Sequence, residues 1–194
     1  NEYNYETGNL STYTPSSSYK GFLELTQHNI NFSAVDMFIS DSLINEKSPE
    51  PLIHLPIYIN AVVVSFKLNN ISTLKLDPSI LSKIFRGKIT YWNDPLIQEL
   101  NPTIEFPEIK IIPIYREKKS GTSYIFTHFL NQSDASWKNS IGITPELKTS
   151  FGLNAKSSAD VVGLIEQVNG SISYIGYSYA INHLNMASIK NSSG

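Results

Sequence analysis

The chain has 194 residues and a formal net charge of −2 at pH 7, with 41% hydrophobic and 16% charged residues, which is typical of a folded globular protein. This length allows one large domain or two small ones. The near-neutral charge gives no basis for nucleic-acid binding, and the absence of cysteine excludes disulfides, thiolate metal sites and cysteine nucleophiles. No apolar stretch is long enough to span a bilayer, and no secretory signal opens the sequence, so we expect a mature, processed or trimmed chain.

The front of the chain is predicted to contain two helices and two short strands. Residues 1–8 are typical of a helix that ends at Gly8, a common residue after a helix C-terminus. A strand is predicted over 9–15, then a helix capped within Ser16 to Ser18, then a strand over 30–36 that ends on Asp36.

The rest of the chain alternates between strands and helices, and a boundary is predicted near Pro56. The predicted elements are a strand at Ala61–Phe66, a helix from Asp77 to Gly87 with Pro78 in its first turn, a helix capped by Asn93 or Asp94, a strand at Ile109–Tyr115, a helix from about Thr122, a helix capped by Ser158 or Asp160, and a strand over 171–180. This alternation predicts an α/β fold with a largely parallel sheet.

Residues 115–123, "YREKKSGTS", form a turn between a predicted strand and a predicted helix, where ligands gather in α/β sheets. A helix start offers free N–H groups and the positive end of the helix dipole. Gly121 permits close approach to the backbone, Ser120 and Thr122 add hydroxyls, and the Arg116 fork matches two oxygens of a phosphate or carboxylate. The turn therefore predicts an oxyanion site. The alternative is that Ser120 is a simple N-cap and that Arg116, Lys118 and Lys119 are solvated.

A second serine-rich turn, Ser16-Ser17-Ser18, also opens a predicted helix and supplies further donors. Asp36 adds an acceptor, although a lone Asp at a strand end is often only a turn residue. Phosphate near neutral pH carries a proton and sulfate does not, so a carboxylate in the site favours phosphate and repels sulfate.

These stretches resemble the phosphate-binding proteins of bacterial ABC phosphate importers, the PstS type. The resemblance is carried, in family order, by "ETGNLSTYTPSSSYKGF", "INFSAVD", "LSKIFRGKITYWNDPLIQELNP", "YREKKSGTSYIFTHFL" and "GSISYIGYSYA". It implies a two-lobed α/β fold of the type II periplasmic-binding-protein kind, with mixed, mainly parallel sheets and flanking helices, closing on phosphate. On this basis residues 1–57 are expected to form a partial first lobe, 58–189 the second lobe, and 190–194 the start of a return to the first.

The resemblance also implies site residues and a biological setting. Phosphate would be bound by Ser18, Asp36, Arg116, Ser120, Gly121 and Thr122, with Asp36 as the acceptor of the phosphate proton. The protein would be an extracytoplasmic receptor, periplasmic or anchored as a lipoprotein, that is monomeric and delivers phosphate to a membrane ABC permease.

The sequence departs from the family pattern at several points. Lys118 stands where the family usually has a second Asp, so it is a candidate modifier of anion selectivity. Tyr19 and Lys20 replace glycines that usually follow the serine turn. The family's opening strand, its Thr-Phe loop and its closing segments have no counterpart, so the first lobe is expected to be incomplete and to expose sheet edge and apolar surface.

Two other functions remain as alternatives. The departures favour a diverged surface or interaction protein on the same fold, with weak or relaxed oxyanion binding. An enzyme acting on phosphate esters ranks last, because no nucleophile–base pair is evident. The four histidines show no metal-ligand spacing, so neither a metal nor a cofactor is expected.

Overall fold

The computed structural model describes residues 2–191. The predicted return to the first lobe falls partly on residues 192–194, which lie outside the described residues. In chain order the elements are α1 (Glu2–Thr7), α2 (Ser18–Thr26), α3 (Asp41–Lys47), β1 (Val62–Phe66), β2 (Lys75–Leu76), α4 (Pro78–Phe85), α5 (Pro95–Leu100), β3 (Ile112–Arg116), α6 (Gly121–Ser133), α7 (Ala135–Ser140), β4 (Leu153–Ala155), α8 (Ser158–Gln167), β5 (Ser171–Gly176), α9 (Tyr177–Ala180), β6 (Asn185–Met186) and β7 (Ser188–Ile189).

A five-stranded sheet in the order β4-β3-β5-β1-β6 forms the centre of the molecule. β3 runs parallel to both β4 and β5, whereas β1 runs antiparallel to β5 and β6. The predicted α/β alternation is confirmed, and the sheet is mixed rather than largely parallel. Alternation of elements along the chain does not fix the direction of β1, which is set by its ladder with β5, where Val62 faces Gly176 and Phe66 faces Ile172.

Helix boundaries follow local capping chemistry closely. The Asp77 side chain accepts the Ile80 N–H, Pro78 begins α4, and Gly87 follows with φ +68°. Asp94, one of the two predicted caps, caps α5.

The predicted cap of α8 is wrong by one residue. Ser157 is the N-cap, and Asp160 bonds back to the Ser157 N–H in a capping box, so it supports the cap without occupying that position. Likewise, the strand predicted over 171–180 ends at Gly176, and α9 follows.

Within residues 2–61 the structure has three helices and no strand, so the strands predicted over 9–15 and 30–36 are wrong. An alternating side-chain pattern becomes a strand only where a ladder partner satisfies its backbone, and these segments have none. The segment before β1 is also extended and unpaired. It exposes apolar side chains at alternate positions: Ile53 (85%), Leu55 (76%), Ile57 (75%) and Ile59 (100%).

The core is centred on the sheet and on α4 and α6. Phe126 of α6 stacks on Tyr174 of β5 with ring centroids 4.3 Å apart, and Phe85 of α4 packs edge-on against Phe126 at 4.8 Å. A smaller apolar cluster buries Phe22 of α2 and Ile39, and Tyr124 of α6 packs against it. The front helices therefore rest on the same helix whose N-terminus was predicted to bind an anion.

Candidate anion-binding site

The start of α6 offers unpaired backbone donors. β3 ends at Arg116, the loop 117–120 follows, and α6 begins at Gly121, one residue before the predicted start. Ser120 caps the helix by accepting the Ser123 N–H at 3.1 Å. The N–H groups of Gly121 and Thr122 have no acceptor among residues 2–191. With the helix dipole, they form a local site for negative charge.

Ser120 acts as the N-cap of α6, which was the alternative to its predicted role as an anion donor. Its side chain is 2% exposed, its hydroxyl donates to Ser123 Oγ at 2.9 Å, and its backbone N–H donates to Pro145 O at 2.9 Å. Its donors are therefore used inside the turn. The structure assigns it to fixing the helix start on which Gly121 and Thr122 lie.

A second set of donors lies at the start of α2. Ser17 is the N-cap and accepts the Lys20 N–H at 3.3 Å, and Ser18 is the first helical residue. Ser18 Oγ accepts the Asp36 N–H at 3.2 Å. Within the described part of the chain, the Ser18 hydroxyl hydrogen and the N–H groups of Ser18 and Tyr19 have no acceptor. They remain available to a ligand.

Gly121 is the point where these parts meet. A Cβ built on Gly121 would lie 2.6 Å from Ser18 Oγ, closer than real Cβ contacts, and 3.0 Å from Asp36 Cβ, tighter than most of them. The start of α6 thus packs directly against the side chains of Ser18 at the start of α2 and of Asp36. A side chain at position 121 would require Ser18 or Asp36 to shift.

The Asp36 carboxylate lies beside this contact and is exposed. The Tyr58 hydroxyl donates to Asp36 Oδ1 at 3.1 Å. The negative charge of Asp36, and then this hydrogen bond, raise the pKa of Tyr58 above its ordinary value. Both side chains line a cavity of about 340 Å³, which Ile125 of α6 also borders. No sequence signal singles out Tyr58, which is 22 residues away from Asp36.

Arg116 is a half-buried cation without a carboxylate partner. Its guanidinium donates to Ser158 Oγ at 3.2 Å and to Lys156 O at 3.3 Å. Its Nε is buried without a hydrogen-bond partner, and within residues 2–191 it forms no salt bridge. Burial lowers its pKa, but a guanidinium stays protonated at neutral pH. The charge is therefore incompletely compensated.

Tyr174 connects Arg116 with the start of α6. Its hydroxyl lies 2.9 Å from Ser123 Oγ inside the core. Burial raises the pKa of Tyr174, while Ser123 and Arg116 act in the opposite direction. Tyr174 is 1% exposed, whereas Tyr177 and Tyr179 are 41% and 49% exposed. The buried hydroxyl holds β5 and α6 in register beneath the site.

The two lysines of the loop differ in their surroundings. Lys118 is exposed, and no carboxylate of the described residues lies within salt-bridge distance of it. Lys119 Nζ lies 4.2 Å from the ring centroid of Tyr19 on α2, a cation–π contact. This contact joins the arginine loop to the serine turn, and Tyr19 is one of the residues that depart from the family pattern.

The described residues contain neither a metal-binding cluster nor a membrane-spanning helix. No group of three or more His, Asp or Glu side chains is arranged to hold a metal ion within residues 2–191. Among the described helices, none combines the length and apolarity that crossing a membrane requires.

The family model of the PBP superfamily domain matches residues 2–194. The chain belongs to the PBP superfamily. The same model covers both the front helices and the sheet, so the two helix starts that meet at Gly121 lie within one family domain.

Curated relatives are named for phosphate binding. The chain is 34% identical over 195 residues to "Phosphate-binding protein PstS" of Haemophilus influenzae, covering 99% of this chain and 58% of the relative. It is 31% identical over 196 residues to the protein of the same name from Xylella fastidiosa, covering 100% of this chain and 53% of the relative. The chain thus spans little more than half the length of these relatives. The resemblance to PstS-type proteins, which are binding proteins and not enzymes, is confirmed.

A solved structure confirms the fold. The chain matches a putative phosphate ABC transporter substrate-binding protein from Clostridium perfringens, solved with bound phosphate, with a TM-score of 0.72 and 17% identity. The match covers 97% of this chain and 68% of that one. The predicted periplasmic-binding-protein-like α/β fold is therefore confirmed.

Proposed function

We propose that this chain binds inorganic phosphate where the starts of α2 and α6 meet Asp36. The observation that carries the proposal is the contact at Gly121, since it joins two sets of free donors and one carboxylate. Free N–H groups, a free Ser18 hydroxyl and two helix dipoles together favour an anion.

Arg116 supports an anionic ligand through its charge. A half-buried guanidinium with an orphaned Nε is costly unless an anion compensates it, and among residues 2–191 no carboxylate lies within salt-bridge distance of Arg116. We infer that Arg116 contributes the formal positive charge, held in place by Ser158 and the Lys156 carbonyl. Gly121 and Thr122 contribute N–H donors, and Ser120 acts by capping their helix.

Asp36 supports phosphate over sulfate. Its Oδ1 accepts from Tyr58, and its Oδ2 has no partner among the described residues. A free carboxylate oxygen accepts the proton that phosphate carries, and it repels sulfate, which has none.

We propose a wider role for the whole protein, supported by the names of its phosphate-binding relatives. In this proposal the protein is an extracytoplasmic receptor, periplasmic or anchored as a lipoprotein, that binds phosphate as a monomer and delivers it to an ABC permease. Residues 1–57 and 58–189 are proposed to belong to separate lobes, with the anion between them.

Calorimetric titration with phosphate and then sulfate tests the proposal. We expect micromolar or tighter phosphate binding, about −8 kcal/mol or stronger, and no heat of binding with sulfate.

Arg116→Ala removes a charged donor worth about 1.5–3 kcal/mol, so phosphate affinity should fall at least tenfold. The matched control is Arg86→Ala, because among the described residues the Arg86 side chain bonds only to the backbone carbonyls of Ser82 and Ser136. Equal phosphate affinity in both variants contradicts the proposal.

A second candidate function is relaxed oxyanion binding on the same fold. The observation that favours it is Lys118, which adds an unpaired charge beside Arg116 at the position where the family has a carboxylate. Comparable binding of sulfate and phosphate would favour this alternative, and Lys118→Asp should then restore the preference for phosphate.

A further inference from the structure

Tyr58 is placed to act on the acceptor of the site rather than on the ligand. It lies on the unpaired extended segment before β1, and its hydroxyl donates to Asp36 Oδ1 at 3.1 Å. Its side chain is 64% exposed, and the Asp36 side chain is exposed too. Burial therefore does not force this hydrogen bond, since water is available to both partners.

Asp36 is held at two points by this arrangement. Its backbone N–H donates to Ser18 Oγ, and its Oδ1 accepts from Tyr58. The first contact fixes the main chain next to the start of α2. The second fixes the rotation of the carboxylate, because an exposed Asp otherwise rotates freely about its last side-chain bond. With Oδ1 engaged by Tyr58, Oδ2 is the oxygen of this carboxylate that has no partner among the described residues.

We propose that Tyr58 is a positioning residue for anion selectivity, which holds the Asp36 carboxylate so that Oδ2 accepts the proton of phosphate. This inference rests on the proposed phosphate site and deepens it. Without the Tyr58 hydroxyl, the carboxylate loses its fixed orientation. Phosphate then loses an oriented acceptor, and sulfate meets a carboxylate that can turn away from it.

The test is Tyr58→Phe, titrated with phosphate and with sulfate at constant pH and ionic strength. We expect phosphate affinity to fall about fivefold, the equivalent of one ordinary hydrogen bond. Sulfate affinity should stay the same or rise, so the phosphate-to-sulfate ratio falls. The matched control is Tyr5→Phe, since Tyr5 is 92% exposed and lies on α1, away from the Tyr58–Asp36 pair. That control should leave the ratio unchanged.

A double-mutant cycle with Asp36→Asn separates positioning from a general structural effect. If Tyr58 acts through Asp36, Tyr58→Phe should have no further effect on the ratio in the Asp36→Asn background. An equal loss for both anions, or the same loss in both backgrounds, overturns the inference while the phosphate site stands. A wild-type chain that binds neither anion overturns the proposed function itself, and this inference with it.

Discussion

Gly121 is the residue on which the proposed site depends most directly. Its backbone lies against Ser18 and Asp36 from two other segments, and it has no side chain to hold them apart. A different glycine, Gly163 of α8, has open space where its side chain would be. The same residue type is thus closely packed at one position and has open space at the other.

Gly121→Ala should reduce phosphate affinity at least tenfold. The added carbon would lie 2.6 Å from Ser18 Oγ and 3.0 Å from Asp36 Cβ, so the Ser18 hydroxyl and the Asp36 side chain must shift from their places in the proposed site. The matched control is Gly163→Ala, which should leave phosphate affinity unchanged and raise the free energy of unfolding by about 0.5–1 kcal/mol. Calorimetry and urea denaturation measure the two effects. Unchanged affinity in Gly121→Ala would mean that the anion does not bind at this contact.

The pKa of Tyr58 reports the Asp36 contact without any ligand. The negative carboxylate favours the protonated, neutral phenol, so it raises the pKa of Tyr58. Asp36→Asn should therefore lower the pKa of Tyr58, and the Tyr58–Asp36 attraction should weaken as the pH rises through it. NMR titration of labelled tyrosine follows this change, with Tyr5 as an exposed reference. An identical Tyr58 pKa in both proteins would show that the hydrogen bond is absent in solution.

At the scale of elements, α6 supports both the core and the site. Phe126 packs against Tyr174, Tyr124 contacts the front cluster, and Ser120 caps the end that carries the free donors. The cap and the proposed ligand donors are different groups on the same turn. Stability and affinity are therefore separable by substitution.

Ser120→Ala should cost about 1–2 kcal/mol of folding free energy, because it removes the cap and a buried hydroxyl partner of Ser123. Its effect on phosphate affinity should be smaller than that of Gly121→Ala, since the Ser120 hydroxyl is already used inside the turn. Thermal unfolding and calorimetry of both variants provide the comparison. A larger loss of affinity in Ser120→Ala would show that its hydroxyl turns toward the anion.

At the scale of the whole molecule, strand pairing and burial differ between the two parts of the chain. The sheet strands β1, β3 and β5 are paired on both sides and buried, whereas residues 2–61 have no strand and expose several large apolar side chains. Segments with few backbone hydrogen bonds open more readily than core strands do. The proposed ligand contacts both kinds of region.

Hydrogen exchange should therefore be faster in residues 9–17 and 27–40 than in β1, β3 and β5. Phosphate should slow exchange mainly around Ser18, Asp36 and the start of α6, because it bridges the front segments to α6. Mass spectrometry of peptides with and without phosphate measures this, with sulfate as the matched addition. Protection confined to residues 58–189 would mean that the anion does not bridge the two parts.

Local chemistry made much of this protein predictable from its sequence. Asp77, Pro78 and Gly87 define α4 through a cap, a first-turn proline and a positive φ, each of which acts within one helical turn. The sequence likewise predicts the family motifs, the α/β alternation and the turn that carries Arg116 and Gly121, because each of these is a local pattern of residues.

Only the tertiary structure decided which of these pieces meet. Three features depend on partners that are distant in the chain. They are the direction of β1, the absence of strands over 9–15 and 30–36, and the Tyr58–Asp36 hydrogen bond. The same holds for Gly121 against Ser18, and for Ser120, whose hydroxyl is used by Ser123 in a buried turn. A sequence specifies donors and acceptors residue by residue, but packing determines which of them are left free for a ligand.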